Sequence, residues 1–340
     1  MERRDFLKAS ALGVAAVAVT AGVHDAMAAA PPETFDENGV KYRMLGDTGA
    51  RVSLIGLGGY HLARPGVSAE ETTRIVRSAI DRGINFCDNC WDYNGGESEA
   101  RLGDALRDGY RNRAFLMTKI DGRTAKAAMG QLETSLRRLQ TDHLDLLQFH
   151  EVIRMDDPER IFAPGGAMEA VLRAQEQGKL RHIGFTGHKS PAIHKHMFEV
   201  AAQHGFRFDT VQMPVNIMDA QFDSFQQTIF PIAARTGTAV LAMKTFGDTF
   251  VLDSGVARPI ELLHYSMSQP VAVVITGCDS MPILDQAFEA MRTYRPMTAA
   301  EQQSLLARAA AKARDGSTEP YKVSHHFDGT MQHPRWLTEA

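Results

Sequence analysis

Four polar side chains stand where short apolar runs of this chain end. Asp88 ends the run from Asn85, Lys119 nearly ends Phe115 to Ile120, His150 ends Leu144 to His150, and Tyr93 follows Asp88 by five residues. Side chains of these types handle protons. An unperturbed tyrosine has a pKa near 10, too high for easy transfer at neutral pH. A lysine ammonium about 4 Å away, at an effective dielectric of about 20, favours the phenolate by roughly 4 kcal/mol, or about three pKa units. Lys119 is thus expected to bring Tyr93 toward neutrality, Asp88 to hold Lys119, and His150 to donate a hydrogen bond that orients a reacting oxygen. A lone strand-end His or Lys is more often a structural hydrogen-bonder than a catalyst, so everything depends on whether a fold brings the four together.

The elements around them suggest one that does. Strands are expected at Val52 to Leu57, Asn85 to Asp88, Phe115 to Ile120, Leu144 to His150, Leu180 to Thr186, Thr210 to Pro214, Ala239 to Lys244 and Val271 to Gly277. Helices are expected at Ala69 to Arg82, Glu97 to Arg107, Ala125 to Leu139, Gly166 to Gln177, Pro191 to His204, Phe225 to Arg235, Pro259 to Ser268 and Met281 to Arg292. The strands are continuous apolar runs, as in a parallel sheet buried on both faces. Eight such units predict an α/β chain closed as a (β/α)8 TIM barrel, whose chemistry belongs at the C-terminal ends of its strands. An open doubly wound sheet would carry a Gly-rich turn after its first strand. Gly56-Leu57-Gly58-Gly59 lacks that spacing and no helix opens on it directly.

At 340 residues and 44% hydrophobic content the chain is long enough for one barrel. A formal charge of −4 with scattered Lys and Arg argues against nucleic acid as a partner, and three cysteines make no disulfide framework. Residues 1–28 read as a targeting segment. Arg3 and Arg4 are followed by Asp5-Phe6-Leu7-Lys8, an Ala-rich apolar stretch to about Val23, and small residues around Ala26-Met27-Ala28. This resembles a twin-arginine signal, although Glu2 stands where Ser or Thr is usual. The alternative, a membrane anchor, is disfavoured because the stretch is short and interrupted by Gly13 and Gly22, so no stable membrane insertion of the mature chain is expected. Residues 29–41 read as a linker, 42–293 as the barrel, and 294–340 as a helix, Ala299 to Ala313, with a polar tail.

Longer motifs resemble the aldo-keto reductase family. Asp88-Asn-Cys-Trp-Asp-Tyr93, followed by Ser98-Glu99 and Leu102-Gly103, is similar to its Asp, Tyr and Ser-Glu…Leu-Gly pattern. Lys119 in Leu-Met-Thr-Lys and His150 in Leu-Leu-Gln-Phe-His match its other two catalytic positions. Tyr42-Arg43-Met-Leu-Gly46, Gly178 to Gly184 and Val211-Gln212…Asn216 extend the likeness over about 250 residues. The resemblance implies hydride transfer between a nicotinamide cofactor and a carbonyl or alcohol, with Tyr93 as proton donor. An alternative is a nucleotide-bound binding or sensor protein on the same barrel with little turnover.

Cofactor contacts implied by the resemblance fall on Thr186, Gln212, Met243, Lys244, Gly277, Asp279 and Ser280. Thr186-Gly187 replaces the family's Ser-Asn pair, and Met243-Lys244 stands where many members have an aromatic residue and Ser. Lys244 is instead expected to meet the pyrophosphate. NADPH is implied, with NADH as the alternative because Asp279 occupies a position often basic for the 2′-phosphate. Substrate specificity is expected from Trp91, Tyr321, Phe327 and Trp336. Packing is the expected role of Cys87 and Cys90. No metal site is expected from the loop histidines 188, 325, 326 and 333, which are expected to face water, and no iron–sulfur cluster because its cysteines are absent. The partners implied are a small carbonyl or alcohol and the twin-arginine export machinery, with a periplasmic location.

Overall fold

The computed structural model describes residues 30–339, so the signal reading on residues 1–28 lies outside the described residues. Eleven strands appear among them. β1 (Phe35–Glu37), β2 (Val40–Met44) and β3 (Arg51–Ser53) form a small antiparallel sheet, in which Asp36 pairs with Lys41 and Arg43 with Val52. The other eight are β4 (Ile55–Gly58), β5 (Phe86–Asp88), β6 (Phe115–Ile120), β7 (Leu144–Phe149), β8 (Leu180–Thr186), β9 (Thr210–Pro214), β10 (Ala239–Met243) and β11 (Val273–Gly277). They pair in parallel, each with its neighbours in the chain, and β11 closes on β4. The (β/α)8 barrel is therefore present, with helices alternating between the strands.

Two local expectations are corrected. The run Val52 to Leu57 divides at Leu54: Val52 belongs to the antiparallel sheet and only Ile55 onward enters the barrel. The segment read as a linker holds β1 and the start of β2. Its polar residues pair across the hairpin, while the next turn of chain, Arg43, is fully buried. Its guanidinium donates to Val271 O at 2.6 Å, Met267 O at 2.8 Å and Tyr294 Oη at 3.0 Å. A buried arginine whose three nitrogens all donate to a carbonyl or hydroxyl is an anchor, since its desolvation is offset only by such bonds.

Inside the barrel, side chains two residues apart on a strand share a face. Phe86, Met117, Leu146, Leu241 and Val273 pack as one buried cluster. One step toward the C-terminal ends of β5, β6 and β7 along the same faces come Asp88, Lys119 and Gln148, so an apolar plug underlies a polar floor. His150 follows Gln148 at the same spacing. The tail beyond residue 313 is also packed. Lys322 Nζ lies 2.8 Å from both Asp219 Oδ1 and Glu319 Oε2, all three side chains essentially buried, and the backbone N–H groups of Gly329 and Thr330 donate to the Glu151 carboxylate.

Candidate active site

A cavity of about 590 Å³ opens at the C-terminal ends of the strands. Asp88, Tyr93, Lys119 and His150 all line it. Lys119 is 1% exposed, and its ammonium has three N–H bonds to give. They go to Asp88 Oδ1, to Asn89 O at 2.7 Å and to Tyr93 Oη at 3.3 Å. With its oxygen accepting from Lys119, Tyr93 is left with its own O–H to donate. The His150 ring meets that of Tyr93 edge to face, 5.8 Å between centroids.

The sequence motifs around these four explain their placement. Ser98 Oγ donates to Gly59 O at 2.6 Å, and a Cβ on Gly59 would come within 2.5 Å of Asp88 O, so the loop after β4 can close against β5 only with glycine there. Buried Glu99 accepts from Thr118 Oγ1 at 2.6 Å and thereby fixes the residue beside Lys119. Asn94 adopts a left-handed conformation (φ 53°) and donates to Tyr60 O, turning the chain away immediately after Tyr93.

The expected acidification of Tyr93 is corrected. Its hydroxyl is raised well above the ordinary tyrosine range, first by burial and then by the carboxylate of Asp88, with Cys90, Asp92 and Glu151 adding to it. A phenolate in this site would lose its water, and Asp88 cancels the charge of Lys119 that would otherwise favour it. His150 behaves oppositely. Burial alone would lower it, but Asp121 and Asp92 raise it to about 9. Its Nδ1 lies 3.0 Å from Asp121 Oδ1, 3.2 Å from Cys90 Sγ and 3.7 Å from Asp92 Oδ1. Cys90 itself is buried, its thiol pushed well up first by burial and then by Asp92 and Asp121.

Of the expected cofactor contacts, Thr186, Gln212, Met243, Lys244, Gly277 and Asp279 line the cavity. Ser280 does not. It is the N-cap of the helix Met281–Thr293, and Ile283 and Gln286 from the first turns supply the wall instead. Phe327 and Trp336 line the cavity, whereas Trp91 and Tyr321 do not. Trp91 stands behind Trp336, its Nε1 donating to Asp121 Oδ2 at 2.5 Å. Tyr321 is fully buried below the wall, its hydroxyl bonded to Glu319 and Asn216. His188, expected to face water, is 7% exposed and lies 3.1 Å from Asp328 Oδ1. Sequence inspection missed Arg64, 3.7 Å from Asp279, and also missed Asp121, Asp92 and Glu151. Asp121 had a signal, two residues past Lys119 in the same strand-end loop. Arg64 had none, because only the closure of β11 on β4 brings it to Asp279.

Residues 54–301 match the model of the Aldo/keto reductase family. The chain belongs to the aldo-keto reductase family. Among its relatives is the aldo-keto reductase YhdN of Bacillus subtilis, 28% identical over 212 residues that cover 57% of this chain and 58% of that one. The 6-dehydroglucose reductase of Novosphingobium aromaticivorans is 26% identical over 288 residues, 74% of this chain and 90% of the relative. The match spans 58% of YhdN and 65% of the oxidoreductase YrpG of the same Bacillus. The holo form of aldo-keto reductase AKR11C1 from Bacillus halodurans superposes with a TM-score of 0.64 at 24% identity, covering 81% of this chain and 99% of that one. That likeness concerns the fold. In this aldo-keto reductase the cavity groups described above occupy the mouth where barrel enzymes keep their chemistry.

Proposed function

We propose that this aldo-keto reductase transfers a hydride between a nicotinamide dinucleotide and a carbonyl or alcohol. The observation that carries it is the Asp88–Lys119–Tyr93 chain of contacts, with His150 beside it at the mouth of one cavity. The residues fit the cofactor. Gln212 Nε2 is held by Asp88 Oδ2 at 3.1 Å, which leaves its buried Oε1 with no hydrogen-bond partner and free to accept from a carboxamide. Gly58, Gly59 and Gly277 leave bare backbone along one side of the cavity. The nicotinamide, when bound, supplies or receives the hydride. The chain's own part is to hold the carbonyl oxygen between Tyr93 and His150 and to neutralise the charge that develops there.

NADPH is the proposed form. Support comes from Arg64, a cation beside Asp279 on the cavity wall, which can take over the 2′-phosphate while Asp279 holds the arginine. NADH is the alternative. Following nicotinamide absorbance with each cofactor and a panel of aldehydes, ketones and sugars tests both points. Turnover of none of them would overturn the reductase reading in favour of a nucleotide-binding role.

We also propose export by the twin-arginine route to the periplasm, on the strength of Arg3-Arg4 and the apolar stretch that follows. That route carries folded proteins, so the nucleotide can be bound before crossing. Cell fractionation of the full-length chain, with extraction of nucleotide from the exported pool, is the test. An uncleaved cytoplasmic product would sink it.

A further inference from the structure

The three cysteines are all buried and unpaired, but they are not alike. Cys87 and Cys278 pack in the apolar core of the barrel, the role expected of a buried thiol. Cys90 faces polar atoms instead: its Sγ lies 3.2 Å from His150 Nδ1 and 3.6 Å from Lys119 O. Around the same ring nitrogen stand Asp121 Oδ1 at 3.0 Å and Asp92 Oδ1 at 3.7 Å. One donor atom from each of Cys90, Asp92, Asp121 and His150 therefore falls within 4.8 Å of the other three. Asp92 Oδ1 is buried without any hydrogen-bond partner, a costly state for a carboxylate oxygen. Whereas Asp88 has Lys119, neither Asp92 nor Asp121 forms an ion pair with a Lys or Arg among the described residues.

We propose that these four side chains bind a zinc-type divalent cation directly behind His150. Ligands at zinc's bond lengths of about 2.0–2.3 Å stand about 3.3–3.8 Å apart at the corners of a tetrahedron, close to the 3.0, 3.2 and 3.7 Å separations around Nδ1. The mixed donor set decides the class of metal. A thiolate and an imidazole suit a borderline-soft ion such as Zn2+, whereas Mg2+ and Ca2+ take about six or more oxygen ligands. Cys90 binds as the thiolate, its proton leaving to solvent, and the dication offsets the charge of that thiolate and of the two carboxylates.

The surroundings supply what such a site needs. The second oxygen of Asp121 accepts from Trp91 Nε1 at 2.5 Å, and its backbone N–H donates to Gln131 Oε1 at 2.9 Å, so this ligand is held in place by its own neighbours. Asp92 and His150 line the cavity while Cys90 and Asp121 lie behind them, which gives the ion a path of entry from the barrel mouth. With Nδ1 on the metal, the remaining ring proton sits on Nε2, the nitrogen on the cavity side. The metal touches no substrate. It is a positioning device that keeps His150 in the tautomer able to donate to a carbonyl oxygen, and proton transfer stays with Tyr93. That consequence rests on the reductase reading; the site itself does not.

Metal analysis and cobalt spectroscopy decide it. The full-length chain, purified without an affinity tag or chelator, should carry about one zinc per chain. After dialysis against a chelator, cobalt(II) alone should bind in its place and show the intense visible bands of a tetrahedral ion together with a near-ultraviolet thiolate-to-metal band. Cys90→Ser should lose the thiolate band and weaken cobalt binding at least about 10-fold; Asp92→Asn, at the edge of the cavity, should weaken it likewise and serves if the first variant folds poorly. Stripping the wild type should lower kcat about 10–100-fold with an unchanged KM for the nucleotide, and zinc should restore it. A chain that binds neither metal, cobalt with the weak bands of a six-coordinate ion, or undiminished binding by Cys90→Ser would overturn the site. So would metal that is lost on replacing the exposed tail residues His325 and His326 with alanine, which would mark a surface ion. An unchanged kcat after stripping would overturn the positioning role. If no carbonyl is turned over at all, the reductase reading fails, and the zinc content and cobalt spectrum still decide the site.

Discussion

Several buried charges in this protein are held in pairs, Lys119 with Asp88, Arg123 with Asp157 and Lys322 with Asp219 and Glu319, and the consequences can be measured one residue at a time. Lys119→Met would leave the buried Asp88 carboxylate directly above the apolar plug with no cation beside it and only the Gln212 amide donating to it. Breaking one side of a buried pair typically costs about 3–5 kcal/mol, so this variant should lose stability in urea unfolding as well as turnover. Asp88→Asn added to it should recover part of the stability and none of the activity. His194 is a different case. Both its ring nitrogens are buried without hydrogen-bond partners, wedged edge-on against Phe185 and Phe225, and burial lowers it to about 3. Since the unfolded chain takes up a proton near pH 6.5 that the folded chain refuses, the folded state loses about 1.4 kcal/mol per pH unit as pH falls from there toward about 3. Above about 6.5 the effect vanishes. His194→Leu should flatten the pH dependence of the unfolding free energy by about one proton between pH 6 and 4; an unchanged slope would mean that this histidine is charged in the fold.

At the scale of elements, the Ser98-Glu99…Leu102-Gly103 run shows how one helix serves two neighbours. Its first turn pins the β4 loop and β6, as described above. Its end must then approach the helix Ala125–Leu139, and a Cβ on Gly103 would press into the Arg138 carbonyl and the Leu139 backbone. Backbone cannot yield as a side-chain end can. Gly103→Ala should therefore cost about 1–3 kcal/mol, read as a lowered Tm, and should also disturb the active site because the helix carries Glu99. A neutral effect on Tm would show that the two helices part without penalty.

At the scale of the whole molecule, the tail completes the wall of the cavity that the closed barrel opens. Residues 314–339 contribute Phe327, Gln332, His333 and Trp336 to the cavity wall, and they are tied down at Lys322 and at Glu151 rather than by a broad apolar face. Lys322→Met should strand Asp219 and Glu319 together in the interior, costing about 3–5 kcal/mol. Glu151→Gln is gentler: it weakens the grip on Gly329 and Thr330, and should raise KM for bulky carbonyls more than it lowers kcat. Steady-state kinetics with a small and a bulky substrate separates these effects, and equal KM changes for the two would argue that the wall does not select substrate.

What the chain declares by itself is whatever depends on neighbours in sequence. Apolar runs and amphipathic periods specify eight strands and their helices, because each is a local pattern, and the polar residue that ends a run is visible at a glance; Asp88, Lys119 and His150 were legible for this reason. The tertiary structure decided what depends on partners far apart. Lys119 promised a low tyrosine pKa, with Asp88 expected only to hold the lysine, but in the fold burial removes water and the Asp88 carboxylate opposes the phenolate as well, so the hydroxyl is raised instead. Arg64 meets Asp279, Trp91 is screened by Trp336, and Tyr321 sinks beneath the wall only once the barrel has closed and the tail has crossed it. Burial and electrostatic balance are sums over all neighbours in space, and a one-dimensional spacing contains only a few of the terms.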